Sequence, residues 1–279
     1  MHVYWLLGLL FTLSAFASST TSKIYDVEYS RNGKEPTLVF LDSGKVLKIR
    51  PGKETIISNL VSEKSEKKLL DFQFNKSRYI ESISVSDKEE PLEEKELLFT
   101  PNETFVPTTI ANMKTAQKYF NEAPYNPKDS QCFNRAMVWS YEWWRNHSLK
   151  SNKLLIFFTR NYIRRYNFEW WFHIAPYVHV KDGDKVVERV MDVKYSRGPR
   201  TFRQWTDTFM RNKAECPVIT RYSEYADYPY TGDCFIYRTH MYSYQPADLQ
   251  MMEAWGYQKS AFNMQEVRGA YLEAFDINI

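Results

Sequence analysis

The chain has 279 residues, is 43% hydrophobic and 25% charged, and carries 37 Lys and Arg against 34 Asp and Glu. This excludes a disordered or low-complexity protein, and 9 Gly with 3 Cys exclude collagen-like and disulfide-scaffold chains. A net charge of +3 is too small to announce nucleic-acid binding, and no nucleic-acid partner is expected.

Residues 1–17 read as a signal peptide. Tyr4 to Phe16 is apolar and uncharged, and Ala15-Phe16-Ala17 gives a small-x-small cleavage pattern near Ala17. The apolar stretch falls short of the ~20 residues that a membrane span needs. Elsewhere the longest apolar run is Leu154 to Phe158, too short to cross a bilayer. The expectation is a secreted or periplasmic protein with no stable membrane anchor after cleavage. Three cysteines in an exported chain leave one over. Cys216 and Cys234 lie 18 apart in a stretch of loops and short strands and are the expected disulfide, which leaves Cys132 as the free thiol.

Residues 18–107 read as a small β-rich unit without a single Trp; seven of the eight Trp follow it. Segments 24–29, 37–41, 45–50, 55–60, 69–74 and 78–85 are β-branched or alternating, and Asp42-Ser43-Gly44 is a hairpin turn between the second and third. Lys88 to Glu96 is a charged connector, and Pro101 and Pro107 bracket a linker. From 108 to 279 the pattern mixes helices and strands. Thr109 to Phe120 predicts a helix. Cys132 to Asn146 predicts another, with Phe133, Ala136, Met137, Ser140, Tyr141 and Trp144 at spacings of three and four. Glu169 to Val180 and Lys185 to Val193 predict strands joined by Asp182-Gly183-Asp184, then Thr201 to Arg211 and Ala247 to Tyr257 predict helices. The fold class is α+β, a mixed unit of helices and strands preceded by a small all-β domain.

Cys132 stands at the start of its helix, where the positive end of the dipole favours a thiolate and backbone N–H groups can hold an oxyanion. The same position also suits a buried, inert cysteine. A thiolate nucleophile needs a proton carrier. His2 leaves with the signal peptide, and His147 lies 15 residues along the helix, ~22 Å away. Among His173, His179 and His240 the hairpin geometry favours His173. With a four-residue loop His173 faces Asp192; with a two-residue loop Asp192 is its diagonal neighbour on the same face. His179 sits six residues along the strand, ~20 Å away. Asp192 is the one acid in Val190-Met191-Asp192-Val193, and an acid there costs free energy unless it has a partner. Pro176 cannot donate to a ladder and points to an edge strand or a bulge. His173 and His179 lack the further residues of a metal motif, so neither a metal nor a cofactor is expected. Arg160 to Arg165 reads as a solvated face; Trp143-Trp144 and Trp170-Trp171 are candidates to line a cleft, with one Trp of each pair read as core.

Residues 125–245 resemble the bacterial protein-glutaminase (protein-glutamine deamidase) family, whose fold is related to transglutaminases and papain-like proteases. The resemblance rests on Asp129-Ser130-Gln131-Cys132-Phe133-Asn134-Arg135-Ala136, on Trp171-Phe172-His173-Ile174-Ala175, and on Val190-Met191-Asp192 followed by Gly198-Pro199 and Trp205. It implies Cys132 as nucleophile, His173 as acid/base and Asp192 as its orienting partner, with Gln131 and Trp171 toward the substrate, a protein or peptide with an exposed Gln. Gln131 stands where the family often has Gly, and Val193 where it often has Pro. Residues 18–107 are either a removable prosegment or a permanent accessory domain. The other functions in view are a transglutaminase-type crosslinking enzyme, a cysteine peptidase, and a non-catalytic binding protein of the same fold; the oligomeric state is left open.

Overall fold

The computed structural model describes residues 18–30, 35–53, 55, 56, 58–60, 62, 68–88, 99–101 and 104–279. The expected signal peptide and most of the charged connector lie outside the described residues. The chain divides into two compact units, Met1–Leu41 with Leu47–Lys88, and Asp42–Val46 with Glu89–Ile279.

The first unit holds strands β1 (Ser18–Ser22), β2 (Ile24–Tyr29), β3 (Pro36–Leu41), β4 (Val46–Lys48), β5 (Leu70–Phe74) and β6 (Ile80–Val85). They form two three-stranded sheets, β1-β5-β6 and β2-β3-β4. Alternation builds the core: Leu70, Phe72 and Phe74 are buried on one face of β5 and cluster with Val39, Leu41, Leu47 and Ile80. The turn expected at residues 42–44 joins β3 to β4. The described residues of 55–60 are helical, not extended. Ile56 and Leu60 both meet the core and are four apart, a helical spacing that outweighs the β-branched content.

The second unit is organised by a six-stranded sheet in the order β11-β10-β9-β13-β12, with β8 pairing β10. A separate two-stranded pair joins β7 (Phe99–Pro101) to β14 (Tyr257–Lys259). The sheet's strands are β8 (Thr109–Ile110), β9 (Asn152–Phe158), β10 (Phe172–Asp182), β11 (Lys185–Val190), β12 (Val218–Ile219) and β13 (Cys234–His240). The helices are α1 (Met113–Glu122), α2 (Cys132–His147), α3 (Arg160–Tyr166), α4 (Phe202–Phe209), α5 (Ser223–Ala226), α6 (Pro246–Trp255) and α7 (Met264–Phe275). Every residue of β9 is buried, as its apolar run requires of a strand flanked on both edges and covered on both faces.

The start of the helix expected at Thr109 is instead a short strand, because Asn112 caps α1 by accepting from the Thr115 N–H. Helix α2 buries more than the expected stripe. Trp139 and Trp143 pack with Val178 and Val180 of β10 and with Ala116 and Phe120 of α1. Met137 and Val138 pack with Val267, Ala270 and Tyr271 of α7. Covered by the sheet on one side and α7 on the other, α2 leaves Trp144 40% exposed while Trp143 is core. No helix among the described residues is long and apolar enough to cross a membrane.

Cys216 and Cys234 are bonded, with a sequence separation of 18, and tie the segment before β12 to the first residue of β13. Closing a loop of that length stabilises by about 3 kcal/mol. Reduction with dithiothreitol is therefore expected to lower Tm by roughly 6–12 °C, measured by calorimetry; an unchanged Tm would contradict this.

Candidate active site

Helix α2 begins at Cys132, and its N-cap, Gln131, makes no side-chain capping bond. The first backbone N–H groups of the helix, which have no intrahelical partner, thus lie beside a half-buried free thiol. The loop before it is held from below by Arg135. This buried guanidinium donates to the Ser130 carbonyl and, at 3.1 Å, to Ser130 Oγ, while lying over the Tyr195 ring.

His173 comes from β10, one residue past its start, and pairs across the ladder with Ile156 of the buried β9. Strands β10 and β11 pair with Asp182 opposite Lys185, the two-residue register of the two considered. Asp192 lies two residues beyond the end of β11. The turn there is held by the Met191 N–H donating to the Pro176 carbonyl at 2.8 Å and by Val190 exchanging hydrogen bonds with Arg200. Pro176 is on neither an edge strand nor a bulge. It sits inside β10, opposite Lys153, and uses the acceptor it retains.

The imidazole Nε2 of His173 lies 2.7 Å from Asp192 Oδ2, and the indole N–H of Trp205 donates to the same oxygen at 2.8 Å. Both His173 and Asp192 are almost fully buried, at 2% and 1% exposed. Nε2 is committed to the carboxylate, so Nδ1 is the ring nitrogen left for sulfur. Burial alone would lower the pKa of His173. The Asp192 charge and hydrogen bond, with a smaller contribution from the nearby Cys132, overturn this and raise it to about 9. Burial likewise opposes ionisation of Asp192, yet His173, Trp205 and the Arg135 charge hold its carboxyl below the usual value. The ring is further boxed by aromatic side chains: Trp170 stacks at 5.8 Å, Phe209 lies at 4.6 Å and Tyr195 sits edge-on at 5.2 Å.

Cys132 and His173 line one cavity of about 70 Å³, together with Gln131, Arg135, Trp170 and Tyr195. Ser43, Gly44 and Lys45 line it too. Residues 42–46 dock by backbone pairing: the Trp171 N–H donates to the Gly44 carbonyl, the Val46 N–H to the Glu169 carbonyl, and Lys45 bridges Trp170. Gly44 has φ +87°, and a Cβ there would lie 3.1 Å from Phe172 Cε1, so only glycine suits this approach.

Of the expected site residues, the fold brings Cys132, His173, Asp192 and Gln131 together. It does not bring Trp171, which is 1% exposed and packs on Phe157, Phe172 and Tyr225. A bend at Trp171 precedes β10, and Trp170 takes the place on the cavity wall. His147 stacks on Tyr119 and pairs with Glu122, and His179 pairs with Glu188. Of the Trp170-Trp171 pair the cleft residue is thus Trp170, while Tyr195 and the 43–45 segment carry no local sequence signal for the site. Among the described residues no group of three or more His, Cys, Asp or Glu is arranged to hold a metal.

The comparisons with known proteins point the same way. Residues 108–209 match the family model described as Glutaminase. That segment contains Cys132, His173, Asp192 and Trp205. A structure titled pro- protein-glutaminase overlays with a TM-score of 0.51 at 13% identity, over 92% of this chain and 94% of that one. The A47Q2 mutant of pro- protein-glutaminase gives 0.52 at 12% identity, over 93% and 94%. No curated protein matches the chain. The resemblance read from the sequence thus recurs in the family match and in the fold, and supports a glutaminase-type enzyme.

The His173–Asp192 pair sets a pH signature. A histidine raised from 6.5 to about 9 contributes stability that is complete below pH 6.5 and lost as pH rises through 9. In Asp192→Asn the burial penalty remains and the opposing charge is gone. The His173 pKa, followed by NMR titration, is expected to fall well below 9; a value still near 9 would refute this assignment of cause.

Proposed function

We propose that the protein is an exported amidohydrolase that deamidates glutamine side chains of proteins or peptides through a Cys132-His173-Asp192 triad on a papain/transglutaminase-related fold. The observation that carries this is the convergence of thiol and imidazole on one small cavity, with the Asp192 carboxylate holding the imidazole. The cavity's volume of about 70 Å³ corresponds to roughly two waters, enough for a carboxamide tip but not for a bulky side chain.

In the proposed reaction the Cys132 thiolate adds to the side-chain carboxamide carbon. The uncapped N–H groups at the start of α2 hold the oxyanion. His173, protonated at neutral pH, gives its proton to nitrogen as the C–N bond breaks, releasing ammonia and leaving a thioester. The now neutral ring takes a proton from water, which adds to the thioester and frees glutamate and the thiol. Asp192 keeps Nε2 protonated and steadies the imidazolium throughout. Gln131 and Trp170 line the cavity.

Residues 18–107 are assigned as a prosegment in this reading. The docked 42–46 segment forms part of the cavity wall where a substrate chain must approach, and the likeness to the pro- protein-glutaminase structure extends over 92% of this chain. Release of residues 18–107 at an engineered protease site should raise kcat/KM on folded protein substrates. Unchanged kinetics after release would mark them as a permanent domain.

Cys132→Ala and His173→Ala should each abolish ammonia release from a Gln-rich protein, whereas His179→Ala should be mild. Mass spectrometry should show a ~1 Da gain at Gln, from replacing NH₂ by OH, that vanishes in Cys132→Ala. Incorporation of a primary amine in place of ammonia release would mark a crosslinking enzyme, and chain cleavage a peptidase. Full activity in Cys132→Ala would end the proposal.

A further inference from the structure

The same sheet carries a second cavity, about 220 Å³, that shares no lining residue with the first. Its floor is one cross-strand row: His240 of β13 faces Asn152 of β9, and Asn152 faces Tyr177 of β10. All three are more than nine-tenths buried. Tyr177 is four residues along β10 from His173, ~13 Å away. Phe105 and Met252 supply apolar walls, and Arg238 and Gln258 stand at the rim.

The row presents hydrogen-bond donors. The Tyr242 N–H donates to His240 Nδ1 at 3.2 Å, so a neutral ring carries its proton on Nε2, and that buried atom has no partner. Burial first, and then the Lys153 charge, hold the pKa of His240 down to about 4, so the ring is neutral across the physiological range. Tyr177 is pushed up to about 12, chiefly by burial, and keeps its phenolic proton. Arg238 spends Nη2 on Glu188 at 3.0 Å and lies over the Phe202 ring, leaving its other N–H groups for a further acceptor. His240, with its orphaned buried donor, and Arg238 line one cavity, and a donor without a partner calls for an acceptor; of the charges around His240, Lys153 and Lys259 act against a positive ring and Asp248 acts for it.

We propose that this cavity binds a small organic carboxylate with an apolar body, the carboxylate accepting from His240 Nε2–H and the Arg238 guanidinium, the body resting against Phe105 and Met252. A volume of roughly seven waters suits a ligand of benzoate size. Arg and an oriented neutral donor together recognise a carboxylate better than an isosteric amide.

The test titrates benzoate, and separately benzamide, into full-length protein carrying ¹³C-labelled histidine. Benzoate should move the His240 ring signals saturably, at millimolar concentrations, and leave those of His173 in place; benzamide should not. Arg238→Gln, a change at an exposed side chain, should weaken benzoate binding by about tenfold or more, the worth of one charge-assisted bond. His240→Phe, which keeps the ring contact with Phe105, should abolish it; if that variant does not fold, Arg238→Gln decides. Equal response to benzamide, a response at His173 alone, no response to benzoate, or wild-type affinity in Arg238→Gln would each overturn the proposal. The readout is binding, so it stands or falls independently of the catalytic reading.

Discussion

A buried carboxylate holding a buried imidazole organises the second unit around its site. Neither Asp192 nor His173 tolerates its position alone, since burial pushes each toward its neutral form. Together, at 2.7 Å and with Trp205 as a second donor, they keep a charged pair inside an aromatic box. Removing one member of a buried pair costs about 3–5 kcal/mol, because the other is left uncompensated. The same imidazole meets Cys132 at one cavity.

The fold delivers that meeting by three independent supports. Strand β9, buried along its length, fixes β10 and thus the height of His173. The bond between Met191 and the Pro176 carbonyl swings Asp192 under the ring just where β11 ends. Helix α2, clasped between sheet and α7, brings Cys132 to the ring with its own N-terminal dipole behind the sulfur. Arg135, one turn into the helix, locks the preceding loop and adds its charge to the field at Asp192. The second cavity exploits the same sheet at the far end of β9, where Asn152 rather than Ile156 faces the neighbouring strands.

What could be read in advance follows the range of the interactions involved. The hairpin at Asp182-Gly183-Asp184 relates residues close in sequence, and it brings Asp192 near His173, but the ladder ends at Tyr177 opposite Val190 and the contact is completed by the turn beyond β11. The helix beginning at Cys132 has a strong 3.6 period. Local pattern does not reveal that β13 pairs beside β9, because the paired residues lie 76–88 apart in sequence. It also missed α7, whose partner is α2. Trp170 and Trp171 are indistinguishable as types, and only the bend before β10 assigns one to the cavity and the other to the core. At residues 55–60 β-branched content misled where the Ile56 and Leu60 spacing was the better signal.

The central claim is that Asp192 acts on sulfur through His173. Its most direct test is the second-order rate of Cys132 alkylation by iodoacetamide at pH 7, in wild type and in Asp192→Asn. The Asp-held imidazolium should keep the sulfur reactive, so the variant should react about tenfold or more slowly. Equal rates would show that carboxylate, ring and thiol do not act as one relay.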